Sequence, residues 1–385
     1  MKILYTIYGG SGHNSGGHYH SLNQVSIETG KAHEVRIVTL GSATSPVFQD
    51  NPYFTGHFKS NRSLKGIIKL NRELRDLTKE FTPDLIHCFD TDSLNLLLPL
   101  SSLKNYPIVL NKCGGPNPAG KNYQHAQGII VFSAENYNWF KNNKNYRKEI
   151  ISLIPNRIKK LHFLSEKDRV EQKPENTSCF LRVSRIGGAY EKTLTNTLKM
   201  LEELRKSHAV HLFLVGRIQD EKRYNEIKKD IEDKGLPVSW ITDERASRGS
   251  DFLYLADFVI GTGRSFMEAI SLGIPSLTPA GNSSWPVLVN KDNFETFFKT
   301  NFSERNVRDE LSLSKKKEAI EKLINDKNAY HQAKENAFEL FSSYFSTDQI
   351  NDRYQAVYSE VLSRKVNHGR LLRQNLLYLI KYYLR

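Results

Sequence analysis

Ala256-Asp257-Phe258-Val259-Ile260-Gly261-Thr262-Gly263-Arg264-Ser265-Phe266-Met267-Glu268-Ala269-Ile270-Ser271-Leu272-Gly273-Ile274-Pro275 reads as one continuous structural unit. A short apolar strand enters a Gly-x-Gly turn, a helix carrying Glu268 follows, and Gly273-x-Pro275 stops it before the next strand. Glycines at such a turn let the backbone approach a phosphate closely. A carboxylate on the first turns of the helix can accept hydrogen bonds from ribose hydroxyls, or it can simply complement the helix dipole.

The same alternation extends outward from this unit. Apolar strands are expected at 3–8, 34–40, 85–88, 108–110 and 128–131, and again at 179–183, 211–215, 238–241, 258–260 and 276–277, with amphipathic helical patterns between them. Short buried strands separated by helices indicate parallel sheets covered on both faces. The expected fold is therefore α/β, with two doubly wound Rossmann-like domains facing each other across a cleft. Residues 159–178 are rich in Lys, Glu and Pro and lack regular apolar periodicity. The expected division is 1–165 for the first domain, 166–178 for a linker, 179–345 for the second domain and 346–385 for C-terminal helices that return to the first. In such sheets ligands bind beyond the carboxyl ends of strands, so chemistry is expected on strand-to-helix loops.

Composition narrows the function classes. The 385 residues carry 55 Lys+Arg against 42 Asp+Glu, a net +13, and three cysteines. Cys88, Cys113 and Cys179 are too few and too widely spaced for a disulfide framework or a paired-cysteine zinc site. The N-terminus reads as a buried strand rather than a signal peptide, and no apolar run is long enough to span a membrane, so a cytoplasmic location is expected. The positive charge admits anionic lipid, phosphorylated substrates or nucleic acid. Neither basic segment interleaves its cations with a base-stacking motif, and no nucleic-acid partner is expected.

Two further segments could carry chemistry. The first strand enters Gly9-Gly10-Ser11-Gly12-His13-Asn14-Ser15-Gly16-Gly17-His18, a run suited either to close approach of a ligand or to a tight turn. It departs from a dinucleotide fingerprint because Ser15 stands where the third glycine belongs. In the second half, Arg185 lies at a strand end and Lys192 just before a helix, so both cations can converge with helix amides on a diphosphate. Leu214-Val215-Gly216 ends another strand of the same half.

Taken together these segments resemble the retaining, nucleotide-sugar-dependent glycosyltransferases of the GT-B fold in the family numbered four, glycosyl transferases group 1. The resemblance covers nearly the whole chain. Gly16-Gly17 is similar to the family's N-terminal glycine pair, Pro83-Asp84-Leu85-Ile86-His87-Cys88 to its Pro-Asp-apolar-apolar-His strand, and Gly128-Ile129-Ile130-Val131-Phe132-Ser133 to its later strand. Ile154-Pro155-Asn156 and Leu214-Val215-Gly216 also fit. The resemblance implies that Arg185 and Lys192 neutralise the leaving diphosphate, on a loop longer by two residues than usual. It implies that Gly216, Gly261, Gly263, Arg264 and Ser265 border the donor, that Glu268 holds its ribose, and that Gly17 touches it from the other domain. On the acceptor or reacting-sugar side it points to Gly16, His18, His87 and Asp90. It implies no metal and no cofactor, the nucleoside-diphosphate sugar being a substrate, with UDP favoured over GDP.

Two positions depart from the pattern. Ile260 stands where the family has its first glutamate, and cannot hydrogen-bond a sugar hydroxyl. Phe89 replaces a histidine in His87-Cys88-Phe89-Asp90, and His87 itself can be a packed strand-end residue. Asp90-Thr91-Asp92 mimics a metal-binding Asp-x-Asp, but the surrounding two-domain pattern makes the match accidental, and Asp92 is read instead as the cap of a helix beginning near Ser93. Arg62, Lys65, Lys69, Arg72, Arg75 and Lys79 share one helix face, and Ile67, Leu70, Leu74, Leu77 and Phe81 the other. At the C-terminus, Leu372, Leu376, Leu379 and Tyr383 form an apolar stripe with Arg370, Arg373, Lys381 and Arg385 opposite. Such a helix either lies in an anionic membrane interface or packs on the first domain. The expected function is transfer of a sugar, with retention, to a glycan or diphospholipid-linked acceptor in cell-surface polysaccharide synthesis such as lipopolysaccharide or capsule, with peripheral contact to an anionic membrane. A nucleotide-sugar epimerase on the same fold and a non-catalytic subunit or binding module are the alternatives.

Overall fold

The computed structural model describes residues 1–11, 14–307 and 311–384. Gly12, His13 and Arg385, singled out above, lie outside them. The chain forms two compact units, Met1–Arg157 with Thr347–Arg385, and Ile158–Ser346.

The first unit runs β1 (Lys2–Gly9), α1 (Gly17–Thr29), β2 (Glu34–Gly41), β3 (Phe54–Lys59), α2 (Leu64–Phe81), β4 (Leu85–Cys88), α3 (Thr91–Leu97), β5 (Ile108–Lys112), β6 (Gly128–Val131), α4 (Ala134–Asn142) and β7 (Ile150–Leu153). Its seven strands lie in the order β3-β2-β1-β4-β5-β6-β7, and all pairings are parallel. Burial of both faces explains why the inner strands β4, β5 and β6 read as largely apolar runs rather than alternating ones. β3 and β7 were not expected from the pattern. β3 is a sheet edge with Thr, His and Lys among its six residues, and β7 is a four-residue run next to a Lys-rich turn.

The second unit contains β8 (Ser178–Val183), α5 (Glu191–Leu204), β9 (Val210–Val215), α6 (Glu221–Asp233), β10 (Val238–Ile241), β11 (Phe258–Ile260), α7 (Arg264–Ser271), β12 (Ser276–Thr278), β13 (Val287–Leu288), α8 (Phe294–Phe298), α9 (Leu313–Asn325) and α10 (Lys327–Tyr344). The sheet order is β10-β9-β8-β11-β12-β13, antiparallel only at β12–β13. Stretch 166–178 belongs to this unit and is tied to it. Glu171 accepts from Arg245 Nη1 at 3.0 Å, and Lys173 donates to Asp257 Oδ1 at 2.5 Å.

The chain then returns to the first unit as α11 (Ile350–Leu362) and α12 (His368–Tyr383). Leu371, Asn375, Leu379 and Tyr382 are the buried residues of α12. This corrects the expected stripe, since Leu376 is exposed and Leu372 and Tyr383 are only half-buried. Buried Asn375 explains the shift. Its amide bonds the His125 backbone in both directions at 2.9 Å, so a polar residue holds the packed face.

In each sheet the strand order reverses beside the first strand of its unit, at β1 in one and β8 in the other. Those are the switch points at which doubly wound sheets take ligands. The loops after β1 and β4, and after β8 and β11, are therefore the ones to build from.

Candidate functional site

The loop after β8 begins at Ser184 and ends at Tyr190, where α5 starts. Gly187 at φ +100° and Gly188 at φ +59° permit its left-handed path. The loop pairs with the one after β9 through an Ile186–Ile218 bridge, and Gly216 makes that approach possible: a Cβ there would sit 1.7 Å from the Ser184 carbonyl oxygen. Gly216 thus shapes the loop that carries Arg185. The exposed Arg185 guanidinium lies 5.1 Å from the centre of the Tyr190 ring, and Nη2 donates to the Tyr190 hydroxyl at 3.2 Å. Lys192, also exposed, donates to the Gly281 carbonyl at 3.3 Å on the loop between β12 and β13.

The neighbouring loop follows β11, which pairs with β8 in the register Phe258↔Phe180 and Val259↔Leu181. Gly261 has Phe266 N 2.7 Å from any Cβ it could carry, and Gly263 adopts φ +48° with its N–H donated to Asn301 O at 3.1 Å. Ser265 closes the turn, accepting from Thr262 N at 3.1 Å and donating to Thr262 O at 3.0 Å. Much of this loop's polar capacity is thus used internally: the amides of Gly261, Thr262, Gly263 and Ser265 all have protein partners. Glu268 is bound by Arg264, whose Nε lies 2.7 Å from Oε1. Ile260 is a core residue, 2% exposed among Phe180, Leu212 and Phe258. Among the described residues no hydrogen bond or ion pair joins Arg185 or Lys192 to Arg264 or Glu268.

In the first unit, Gly16 precedes α1 in extended conformation, and Gly17 opens the helix with nothing within 4 Å of where a Cβ would stand. The His18 ring lies tilted against that of Tyr19, centroids 4.1 Å apart, and burial pushes its pKa down to about 4, so it is a neutral imidazole at pH 7. The Tyr19 hydroxyl donates to Tyr8 O at 2.7 Å, fixing α1 against the end of β1.

His87 and Asp90 both have partners within the first unit. His87 is fully buried with its ring among those of Tyr5, Phe89, Tyr354 and Tyr358, and Nδ1 lies 2.8 Å from the Tyr358 hydroxyl. Burial pushes its pKa to about 3. A residue enclosed by aromatic rings on a β-strand packs the core. Asp90, not Asp92, caps α3: Oδ1 accepts from Ser93 N at 2.6 Å while Oδ2 accepts from Tyr8 N at 2.7 Å. Both oxygens are taken by backbone, so the carboxylate ties β1 to α3. Burial raises its pKa against these hydrogen bonds.

No protein-family model and no curated protein matches this sequence. Solved structures do. HepE of Anabaena, in complex with UDP and glucose, is similar with a TM-score of 0.65 at 16% identity, over 94% of this chain and 100% of that one. A glycosyltransferase from Rickettsia africae gives a TM-score of 0.66 at 14% identity, over 94% and 100%. The lipopolysaccharide outer core galactosyltransferase WaaB gives 0.58 at 13% identity, over 94% and 99%. The fold is GT-B.

Within this GT-B chain, sequence reasoning passed over residues that shape the candidate site. Tyr190 orients Arg185, and its signal was an aromatic residue inside a glycine loop between two cations. Arg182 is buried at the end of β8, donating to Thr197 Oγ1 at 3.1 Å and to Thr193 through both hydroxyl and carbonyl, which anchors the first turns of α5. Burial lowers its pKa to about 10, against the pull of Glu304 and Tyr190. An arginine in an otherwise apolar strand was the available clue. Asn301, at φ +55°, holds Gly263 from a loop with no recognisable motif.

Proposed function

We propose that this chain is a glycosyltransferase of the retaining family numbered four, moving a sugar from a UDP-sugar to a glycan or diphospholipid-linked acceptor without a metal. The observation that carries the reading is the switch point of the second unit. There the Arg185–Tyr190 loop and the start of α7, with Gly263 and Glu268, occupy the carboxyl ends of adjacent strands β8 and β11. Arg185 and Lys192 supply positive charge for a departing diphosphate, and Glu268 keeps its second carboxylate oxygen for a ribose hydroxyl. HepE, solved with UDP and glucose, supports UDP as the nucleotide. WaaB, named for a lipopolysaccharide substrate, supports a cell-surface glycan acceptor.

The reading includes peripheral membrane contact. No helix among the described residues is long and apolar enough to cross a bilayer. Yet the exposed large hydrophobic residues described in the first unit all lie on α2 and the C-terminal helices: Leu64, Ile68, Leu362, Leu376, Leu377, Ile380 and Leu384. Exposed Lys65, Lys69, Arg72, Arg373 and Lys381 accompany them, and Arg62 over the Tyr382 ring at 4.3 Å links the two helices. Apolar residues among cations suit an anionic lipid surface.

The test is thermal unfolding with UDP, GDP, ADP and dTDP, followed by hydrolysis of UDP-sugars with and without EDTA. UDP should raise the midpoint in wild type and not in Arg185→Ala, and EDTA should leave hydrolysis unchanged. A second reading, a non-catalytic nucleotide-binding subunit, is favoured by Ile260 in the core and by Glu268 being held by Arg264. It predicts a UDP shift with no turnover of any UDP-sugar.

A further inference from the structure

The turn between α11 and α12 covers a pocket of about 280 Å³ lined by Gln127, Lys148, Arg364, Lys365, Asn367 and Arg370. Four of these residues are cations and none is a carboxylate. Among the described residues, one acid bonds to a lining cation: Glu360, 2.6 Å from Arg364 Nη2. Gln127 and Lys148 stand just before β6 and β7, so the pocket opens at the amino ends of the strands, opposite to the carboxyl-end loops described above.

Three features of the lining point to an anion. Gln127 is 5% exposed; its Oε1 accepts from Ile108 N at 2.8 Å, while its Nε2 is buried without a partner. Arg370 Nε is also buried and unpartnered. A buried donor without an acceptor is costly, so two in the lining of one pocket mark a place where an acceptor is missing. The third feature is the start of the sixteen-residue α12. Asn367 caps it by accepting from Arg370 N at 2.9 Å, and Gly369 has open space where a Cβ would stand. Helix dipole, unpaired amide, guanidinium and ammonium groups thus favour the same sign of charge.

We infer that this pocket binds a phosphate group. A tetrahedral anion with several acceptor oxygens can take the Gln127 amide, the Arg370 guanidinium and the α12 amides together, with Lys148 and Lys365 as flanking charges. A monoatomic anion or a single carboxylate would leave donors unused. The phosphate can be free or belong to a lipid headgroup, because α12 continues from the pocket into exposed Leu376, Leu377 and Ile380. The inference does not depend on the donor assignment in the second unit.

The experiment measures the unfolding midpoint of the full chain against inorganic phosphate at constant ionic strength, in wild type, Arg185→Ala, Lys365→Gln and the Lys148→Gln/Arg370→Gln double variant. Phosphate should stabilise wild type and Arg185→Ala alike, and the apparent affinity should fall about tenfold in the double variant. Lys365 is exposed, so Lys365→Gln keeps the fold and should weaken binding severalfold even if the double variant unfolds. An equal response in wild type and Lys365→Gln, or loss of the response in Arg185→Ala alone, overturns the site. Sedimentation with phosphatidylcholine vesicles, with or without phosphatidic acid, separates the sources. Lys365-dependent recruitment that inorganic phosphate competes away supports a lipid headgroup, and phosphate binding without such recruitment supports a soluble phosphate.

Discussion

Arg264 Nε donates to Glu268 Oε1 at 2.7 Å across one turn of α7, with the two side chains only 21% and 12% exposed. Arg264 Nη1 is buried beside the pair without a partner. On the proposed function a ribose would use the second oxygen of Glu268, the first being held by Arg264. Arg264→Met should keep a UDP-induced rise in unfolding midpoint, whereas Glu268→Ala should abolish it and destabilise the protein by about 2 kcal/mol by stranding a guanidinium. If Arg264→Met loses the shift as completely as Glu268→Ala, Arg264 itself contacts the nucleotide and the assignment of roles is reversed.

Ile260 is the place where the family pattern and this chain part company. Because it packs among Phe180, Leu212 and Phe258 in the core of the second unit, a glutamate there would bury a carboxylate among apolar side chains. Ile260→Glu is expected to cost about 3 kcal/mol or more in urea unfolding, against about 1 kcal/mol for Ile260→Val. Equal costs for the two variants would show that position 260 reaches solvent.

The contrast between Ile260 and Glu268 shows what was legible beforehand. Strand runs, glycine turns and the helix carrying Glu268 are local signals of period and breaker residues, and they placed both sheets and the loops at their switch points. Edge strands such as β3 escaped because half-buried edges need no continuous apolar run. Partnerships across long sequence separations left no local trace: Gly263 with Asn301, Lys192 with Gly281, His87 with Tyr358. The packing of His87 and the backbone partners of Asp90 were illegible for that reason, since a motif names a residue type at a strand end and only packing decides which way it faces.

His87 gives the protein an acid sensitivity with a definite sign. Its folded pKa of about 3 lies below the ordinary 6.5, so between those values the unfolded chain binds the extra proton. The stabilisation is complete above about pH 6.5 and is lost progressively as pH falls toward 3. At pH 5 the loss is about 2 kcal/mol. His18, with a folded pKa of about 4, acts in the same direction. Urea unfolding from pH 7.5 to 5 should show a steeper decline for wild type than for His87→Phe, and parallel curves would mean that His87 is accessible to protons in the folded state.

Asp90 joins two elements through one side chain, so its replacements should separate by the acceptors they retain. Asp90→Ala removes the α3 cap and the partner of Tyr8 N, at about 2–3 kcal/mol, while Asp90→Asn keeps one acceptor and should lose about half as much. Amide exchange at Ser93 and Tyr8 should speed up together in Asp90→Ala. Faster exchange at Ser93 alone would show that β1 does not depend on this carboxylate.

Leu377, 68% exposed on the outer side of α12, and Ile380 beside it, 44% exposed, lie off the buried face formed by Leu371, Asn375, Leu379 and Tyr382. Leu377→Ser/Ile380→Ser should therefore leave the unfolding midpoint within about a degree of wild type. Each apolar side chain entering the lipid interface contributes about 1 kcal/mol, so the pair should lower partitioning onto anionic vesicles by about tenfold or more. Raised salt should weaken wild-type binding through the cations without erasing it, because Leu376, Leu377 and Ile380 do not respond to screening. Binding that vanishes at high salt and is indifferent to the serine substitutions would leave the cations as the only contact, and α12 would rest above the lipid rather than in it.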